Sequence, residues 1–436
     1  MHKPFAWLTA ITAIGFAAPA SAQTELQWWH AMAGELGQKI EKLANDFNNS
    51  QKEFKVVPVY KGTYPEVMTG AIAAFRAKQP PHIIQVFEVG TATMMAARGA
   101  VYPVYELMKD AGEPFDPKDY LPAVVGYYTD TQGNMLSFPF NSSTPVLYYN
   151  KDLFKKAGLD PNTPPKTWPE IGAAAAKLQA AGVPCGFTSE WPSWVQIENL
   201  SAWHNVPIAS HANGFAGLDT ELQINQPLQV KHIGQLVEWQ KTKMFDYGGR
   251  GDTAKPKFYS GECGMDLASS AARLGIVTNM KNEVGTTMLP YWPDVKGAPQ
   301  NSIIGGATLW VLKGQKAEDY KGVARFFSYL SKPDVQTWWH QQTGYLAITQ
   351  AAYELSRQQG YYDKNPGADV SVKQMTLNPP TENSKGLRLG SFVQIRNVIE
   401  EEIESALQGK KNAKEALDSA VARGNDLLRQ FQRANM

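Results

Sequence analysis

The sequence predicts an α/β fold in which strands and helices alternate, so that mainly parallel sheets are covered by helices on both faces. Two observations favour this fold class. Short apolar strands are repeatedly followed by amphipathic helices, and the 436-residue chain is 43% hydrophobic and 19% charged. A chain of this length holds about two or three domains with buried cores, and its composition excludes disorder throughout.

The first half of the chain shows the alternation most clearly. Strands rich in β-branched and aromatic residues are predicted at 26–30, 54–60 and 83–87. After the first strand, apolar residues recur at the spacing of a helix with one buried face: Ile40, Leu43, Ala44 and Phe47. Tyr64 and Glu88 fall at strand-to-helix junctions, which is where ligands bind in sheets of this kind.

The second half is less regular. Residues 130–134 predict a hairpin turn between strand-like segments at 127–128 and 136–140. Residues 358–384 predict irregular structure or short helices, and Gly409 ends the first of two C-terminal helices. Further strands are predicted at 146–149, 185–187, 264–268 and 309–312.

The N-terminal 22 residues have the features of a secretory signal peptide. Lys3 precedes an apolar run at 5–18, and Ala20, Ser21 and Ala22 supply the small residues of a cleavage site. The run is shorter than the ~20 apolar residues that span a membrane. We therefore expect cleavage after Ala22 and a mature protein in the periplasm.

Charge and cysteine content exclude several classes of protein. Lysine and arginine number 42 against 41 aspartate and glutamate, without a polybasic run, so no nucleic-acid partner is expected. Two cysteines, Cys185 and Cys263, are too few for a four-cysteine zinc site. In an oxidising compartment they either pair or remain two buried thiols, and the sequence leaves both alternatives open.

Enzyme signatures are missing from the sequence. It contains no Walker A loop, no HExxH, no GxSxG and no CxxC, and no histidine pair at i, i+4 for zinc. The acidic run Glu400, Glu401 and Glu402 is typical of a solvated helix face. We therefore expect no catalytic residues, no metal site and no cofactor.

Several motifs resemble those of the extracellular solute-binding proteins of ABC importers (family 1), the group that includes maltose-binding protein. They are LSFPF at 136–140, LYYNKDLFKKAG at 147–158 and PKTW at 165–168. Six more segments are similar to the members of this family that bind sn-glycerol-3-phosphate: 29–37, 60–64, 87–95, 139–145, 298–307 and 386–390. The similarity extends through essentially the whole mature chain.

The resemblance implies a two-lobed periplasmic-binding-protein fold (Venus flytrap, type II). Each lobe is expected to contain a mainly parallel sheet flanked by helices, and a hinge joins the two. Because the chain crosses between lobes, both lobes are discontinuous. The N-terminal lobe is expected at 23–143 and 302–349, and the C-terminal lobe at 144–301 and 350–436.

The resemblance also implies a function. The protein would capture sn-glycerol-3-phosphate, or a related glycerophosphodiester, between its lobes. It would deliver this ligand, as a monomer, to the membrane permease subunits of an ABC importer with its ATPase. One alternative is a binder of glycerophosphocholine or a sugar. Another is a secreted glycoside hydrolase, which would need two carboxylates across a cleft, and only Glu88 has a strong claim to that role.

By the same resemblance, nine residues are expected to contact the ligand. Seven match ligand contacts and two tryptophans flank them: Tyr64, Glu88, Ser143, Ser269, Gly306, Tyr345 and Arg396, with Trp191 and Trp194.

Physical arguments assign roles to some of these residues. The Arg396 guanidinium can bind two phosphate oxygens at once, whereas Glu88 would repel phosphate. We therefore expect Glu88 at the opposite pole, accepting hydrogen bonds from the glycerol hydroxyls. Purely structural roles are the alternatives: an exposed arginine for Arg396, a helix cap for Ser269, a turn for Gly306 and core packing for the tryptophans.

Overall fold

The structure is a computed structural model and describes residues 23–436. The expected signal peptide, residues 1–22, lies outside the described residues. Within residues 23–436, no helix combines the length and apolar character that crossing a bilayer requires.

Ten strands in the described chain form two sheets. They are β1 (Thr24–His30), β2 (Phe54–Tyr60), β3 (Ile83–Phe87), β4 (Val101–Tyr102), β5 (Phe138–Ser143), β6 (Pro145–Asn150), β7 (Cys185–Ser189), β8 (Cys263–Ser269), β9 (Val284–Thr287) and β10 (Gly305–Leu312). The first sheet has the order β2-β1-β3-β10-β4, with β5 also paired to β10. The second has the order β7-β8-β6-β9.

Helices surround both sheets. They are α1 (Gly34–Ser50), α2 (Tyr64–Arg76), α3 (Thr91–Ala96), α4 (Val104–Ala111), α5 (Pro122–Tyr128), α6 (Lys151–Lys156), α7 (Trp168–Ala180), α8 (Leu200–Trp203), α9 (Ser210–Asn213), α10 (Pro227–Lys241), α11 (Lys255–Tyr259), α12 (Ala272–Asn279), α13 (Ala317–Leu330), α14 (Pro333–Thr343), α15 (Gln350–Gln358), α16 (Tyr361–Lys364), α17 (Val370–Met375), α18 (Phe392–Leu407) and α19 (Ala413–Asn435).

The strand directions differ from the prediction. β1 runs parallel to β2 and β3, as the alternation of strands and helices predicts. β10, however, is antiparallel to β3, β4 and β5, and β6 is antiparallel to β8 and β9. The expectation of mainly parallel sheets is therefore wrong, and both sheets are mixed. The reason is that β6 and β10 are each entered by a segment that comes from the other sheet, and the βαβ rule does not govern such a connection.

The chain passes between the sheets at adjacent places. β5 ends at Ser143 in the first sheet and β6 begins at Pro145 in the second, so only Thr144 separates them. The Thr144 hydroxyl donates to the Ser302 hydroxyl at 2.7 Å, on the segment that returns to β10. These crossings lie beside the predicted lobe boundaries at 143 and 302, and the boundaries themselves stay predictions.

Local predictions hold for α1 and fail for α5. The four apolar residues predicted for the buried face of α1 are its buried residues. Residues 130–134 do form a turn, in which the Asp130 carboxylate accepts from the backbone amides of Gln132 and Asn134. The turn is closed by an antiparallel bridge between Thr129 and Met135, as a hairpin turn requires. Tyr127 and Tyr128, however, end a helix, so the predicted strand-like segment at 127–128 is wrong. Aromatic pairs favour strands by propensity, but burial in a helix overrides that preference here.

Cys185 and Cys263 form a disulfide, which settles the alternative that the sequence left open. They are the first residues of the parallel neighbours β7 and β8 and lie directly opposite each other, with Cα atoms 4.4 Å apart. The bond therefore joins two strands that are far apart in sequence.

Candidate functional site

A cavity of about 790 Å³ is lined by residues that follow strands of both sheets. All nine predicted site residues line it: Tyr64, Glu88, Ser143, Trp191, Trp194, Ser269, Gly306, Tyr345 and Arg396. The structure thus brings the nine together at one place, although they come from segments up to 332 positions apart in the sequence.

Tyr64 is held as a hydrogen-bond donor toward the cavity. It is the first residue of α2, and its ring stacks on Phe87 with centroids 5.2 Å apart. The Asn141 side-chain amide donates to the Tyr64 hydroxyl at 3.0 Å, and Gln85 in turn donates to the Asn141 carbonyl oxygen at 2.9 Å. Because the Tyr64 oxygen accepts from Asn141, its own proton is directed away from that amide, and the Tyr345 hydroxyl is a neighbouring acceptor. Burial raises the pKa of Tyr64, so the proton is retained at neutral pH.

Tyr345 provides a second hydroxyl beside the first. Its ring lies parallel to Trp339, with an interplanar angle of 2°, and its hydroxyl neighbours the Tyr64 hydroxyl and the Asn141 side-chain amide. Burial raises the pKa of Tyr345 to about 12. Both phenols are therefore neutral donors on rings that cannot turn freely.

Ser143 and Gly306 lie close to these phenols. Ser143 is paired with Gly305 at the start of β10, and the Leu346 amide, next to Tyr345, donates to the Ser142 carbonyl at 2.8 Å. Gly306 has a φ of +90°, a conformation that favours glycine. A Cβ atom there would overlap the Asn141 carbonyl oxygen, so glycine lets β5 and β10 approach closely at a point where Gly306 lines the cavity.

Ser269 approaches from the second sheet. It is the last residue of β8 and is paired with Pro145, two residues beyond Ser143. Its hydroxyl accepts from the Ala271 amide at 3.2 Å, just before α12 begins. We name the set Tyr64, Ser143, Ser269, Gly306 and Tyr345 the neutral-donor pole.

Arg396 lies between two carboxylates at the other part of the cavity wall. Its Nη2 donates to Glu88 Oε1 at 2.7 Å and to Glu198 Oε2 at 2.7 Å, and its Nε donates to Glu198 Oε1 at 2.9 Å. Exposed fractions are 6% for Arg396, 5% for Glu88 and 1% for Glu198. We name these three residues the charged pole.

The protonation of this pole follows from burial and from its ion pairs. Burial raises the pKa of Glu88 above its ordinary value, and Arg396 opposes that shift. Burial alone would lower the pKa of Arg396, but the Glu198 and Glu88 carboxylates outweigh it and raise that pKa. Arg396 therefore remains a cation throughout the neutral range.

The prediction that Glu88 and Arg396 occupy opposite poles is wrong, because they form a direct ion pair. A buried carboxylate is stable only beside a cation, and Arg396 is the cation that the fold brings to Glu88. Sequence reasoning also missed Glu198. The sequence does offer a signal, because Glu198 follows the predicted site residue Trp194 by four residues, a spacing that places two side chains on the same face of a helix. In the structure both lie in a π-helical segment, Trp194–Asn199.

The other cations of the cavity wall are also paired. Arg250 Nη2 lies 2.6 Å from Glu404 Oε2, and Lys255 Nζ lies 2.7 Å from Asp252 Oδ2. Among the described residues that line the cavity, every lysine and arginine thus has a carboxylate partner. The hydroxyls of the neutral-donor pole, by contrast, are not paired with carboxylates in the part of the chain that the structure describes.

The two tryptophans are part of the cavity wall. Trp194 packs so closely on Gly305 that a methyl group there would overlap the indole ring, and the indole N–H is buried without a hydrogen-bond partner. Trp191 is half-buried with a φ of +48°, and its amide donates to the Gly251 carbonyl at 2.7 Å. Strained backbone of this kind is often found at binding sites.

The prediction of a solvated face at 400–402 is wrong for two of its three residues. Glu402 is buried and bonds to Lys411, Ser419 and Arg423, while Glu400 is buried and lines the cavity. Burial raises the pKa of Glu400 to about 7, although Arg396 and Arg250 oppose the shift. A run of three consecutive glutamates on a helix cannot all face one way, and here tertiary packing buries the outer two.

Glu400→Gln is expected to stabilise the protein at alkaline pH. The native pKa near 7 lies above the ordinary value of 4.5, so native protein binds more protons than unfolded chain between these values. Stability is therefore lost as pH rises through that window, and the variant removes the loss. We expect Glu400→Gln to raise the free energy of unfolding by roughly 2 kcal/mol at pH 8 and to leave it almost unchanged at pH 4.5, measured by urea unfolding. An equal gain from Glu401→Gln, on the exposed side of the helix, would contradict this explanation.

Comparison with known proteins indicates one family, that of the solute-binding proteins. Residues 33–337 match the family described as bacterial extracellular solute-binding protein. The chain is 54% identical over 423 residues to the sn-glycerol-3-phosphate-binding periplasmic protein UgpB of Salmonella paratyphi A, covering 97% of this chain and 96% of the relative. It is 55% identical over 421 residues to the protein of the same name in Yersinia pseudotuberculosis serotype I, covering 96% of each.

Solved structures show the same fold at lower identity. UgpB from Mycobacterium tuberculosis in complex with glycerophosphocholine has a TM-score of 0.79 and 20% identity, covering 94% of this chain and 99% of the other. Maltose-bound MalE3 of T. maritima has a TM-score of 0.74 and 18% identity, covering 93% and 100%. These likenesses confirm the predicted α/β class and the two-lobed periplasmic-binding-protein fold.

Proposed function

This chain belongs to the bacterial extracellular solute-binding proteins, and on that premise we propose that it captures sn-glycerol-3-phosphate for an ABC importer. The relatives that are more than half identical over almost their full length carry this ligand and the periplasm in their names. Removal of residues 1–22 as a signal peptide would place the mature protein in the same compartment.

The observation that carries the proposal is the division of one cavity into a neutral-donor pole and a charged pole. A phosphate monoester has a charge between about −1.5 and −2 at neutral pH. The hydroxyls of Tyr64 and Tyr345, the serine hydroxyls and the backbone beside Gly306 are neutral groups that can donate hydrogen bonds, and none of these side chains is paired with a carboxylate among the described residues. The phosphate is therefore assigned to the neutral-donor pole.

The glycerol end is assigned to the charged pole. Glu88 accepts hydrogen bonds from hydroxyl groups, and the Arg396 Nη1 has no hydrogen-bond partner among the described residues and can donate to them. An uncharged diol makes both kinds of bond without adding charge. Glu88 thus keeps the role predicted from its charge. Arg396 is assigned to the other end of the ligand: it binds the diol together with Glu88 and does not bind the phosphate.

Ligand binding would favour closure because the site draws on both sheets. Tyr64 and Glu88 follow strands of the first sheet, while Ser269 ends a strand of the second. A ligand that bonds to both sides stabilises the arrangement in which they are close. The closed form is what the membrane permease and its ATPase would receive, without chemical change to the ligand.

The hydrolase alternative is disfavoured by the same contacts. Glycoside hydrolysis needs one carboxyl group as acid and another as nucleophile or base. Glu88 and Glu198 both bond to the same guanidinium, which holds them as acceptors rather than as a proton donor and its partner.

Isothermal titration calorimetry with four ligands tests the proposal: sn-glycerol-3-phosphate, glycerophosphocholine, inorganic phosphate and maltose. We expect sn-glycerol-3-phosphate to bind and to be recovered unchanged, and maltose not to bind. Glycerophosphocholine binding alone would favour the alternative ligand. Maltose binding without the phosphate ester, or turnover of any ligand, would overturn the proposed function.

A further inference from the structure

Glu198 lies behind Arg396 and is the most deeply buried member of the charged pole. We infer that Glu198, acting through Arg396, makes the site select a ligand whose end opposite the phosphate is an uncharged diol, and reject one that bears a carboxylate there. Glu198 is in this account a positioning and specificity-determining residue. The inference rests on the proposed function and concerns the same site.

The first support is the fixed geometry of the pair. Glu198 takes up one edge of the guanidinium with two bonds, from Nε at 2.9 Å and from Nη2 at 2.7 Å. The Ser193 hydroxyl donates to Glu198 Oε1 at 2.9 Å, within the same buried turn. Bidentate pairs of this kind fix both position and orientation. Arg396 therefore presents only its remaining edge, next to Glu88, to a ligand.

The second support is the charge of the pole. Two carboxylates against one guanidinium leave a net charge of −1 when all three groups are ionised. The nearby Arg250 does not offset this charge, since Glu404 and Glu400 already lie 2.6 Å and 3.9 Å from it. A ligand carboxylate would add a second negative charge in a buried place where Coulomb interactions are weakly screened. Hydroxyl groups carry no such penalty.

Without the Glu198 charge, the same guanidinium would tolerate anions. Arg396 would then have one buried carboxylate partner, the net charge of the pole would be zero instead of −1, and a ligand carboxylate at the remaining edge would meet no excess negative charge. The identity of Glu198 thus decides whether the arginine at this pole recognises an alcohol or an acid.

The test compares two probes that differ only at the end in question. They are sn-glycerol-3-phosphate and 3-phospho-L-glycerate, in which a carboxylate replaces the terminal hydroxymethyl group at unchanged configuration. For the wild-type protein, calorimetry is expected to show at least about a hundredfold preference for sn-glycerol-3-phosphate. Equal binding of the two probes by wild type would overturn the inference without any variant.

In Glu198→Gln, the preference is expected to fall at least about tenfold, mainly through tighter binding of 3-phospho-L-glycerate. Glu198→Asp keeps the charge and is expected to restore the preference, even if both affinities fall. Glu401→Gln, the same change at an exposed position of α18, is the control and should leave the preference unchanged. Thermal unfolding of each variant shows that it is folded.

The outcomes separate the two proposals. If both affinities fall together in Glu198→Gln and the preference stays at the wild-type value, Glu198 is merely structural and the inference is wrong. If wild-type protein binds neither probe, the proposed function itself fails, and the inference fails with it.

Discussion

Arg396→Ala is expected to lower the affinity for sn-glycerol-3-phosphate at least about a thousandfold and the free energy of unfolding by about 3–5 kcal/mol. The two effects share one cause. Arg396 is the cation that pairs with the buried carboxylates Glu88 and Glu198. Its loss leaves both carboxylates without a cationic partner, removes a donor to the glycerol hydroxyls and lets Glu88 turn away from the ligand.

Calorimetry and urea unfolding measure the two effects of Arg396→Ala. Arg429→Ala is the matched control, because Arg429 makes an exposed ion pair with Asp426 and should change neither quantity by more than about 0.5 kcal/mol. The destabilisation should also be smaller near pH 5 than at pH 8, since protonation removes the unpaired charges. An affinity within threefold of wild type would show that Arg396 does not hold the ligand.

Gly306→Ala is expected to lower the free energy of unfolding by about 3 kcal/mol and the affinity for sn-glycerol-3-phosphate by at least about a hundredfold. Gly306 has a φ of +90°, and a Cβ atom there would overlap the carbonyl oxygen of Asn141 on the paired strand β5. Since the obstacle is backbone, it can be relieved only by moving β5 or β10. That movement displaces Ser143 and the Asn141 amide that orients Tyr64.

Gly133→Ala is the control that separates the cost of a positive φ from the cost of the steric overlap at Gly306. Gly133 has a similar φ of +83° but open space around its would-be Cβ atom. Gly133→Ala should therefore lower the free energy of unfolding by only about 1 kcal/mol, which is the cost of the backbone conformation alone, and should leave binding unchanged. Urea unfolding and calorimetry on both variants make the comparison. If Gly306→Ala behaved like Gly133→Ala in both measurements, close approach to the backbone of Gly306 would have no part in binding.

Local pattern was enough to predict elements whose neighbours lie close in sequence. The helix α1 has a single apolar face, and β1 to β3 alternate with helices, so their positions and parallel directions follow from spacing. The direction of β10 could not be predicted in this way. It joins the first sheet only after the chain has passed through all four strands of the second sheet, and its own residues do not indicate the direction in which it enters.

The candidate site residues could be predicted from the sequence because the matching motifs show which positions correspond to ligand contacts in the family. The structure brings all nine into one cavity. Their arrangement could not be predicted. Repulsion between Glu88 and phosphate predicts that the two lie apart. The same prediction treats the Arg396 guanidinium as unpaired, whereas in the structure it is paired with Glu198. Buried ion pairs of this kind depend on contacts between segments that are almost 200 residues apart, which spacing does not reveal.

A crystal structure of the protein with sn-glycerol-3-phosphate bound tests the central claim most directly. We expect the phosphate oxygens within hydrogen-bond distance of Tyr64, Tyr345 and the backbone at Gly306, and the two hydroxyls beside Glu88 and Arg396, with Glu198 still paired to Arg396. A phosphate bonded to the Arg396 guanidinium, with the hydroxyls among the tyrosines, would contradict the account.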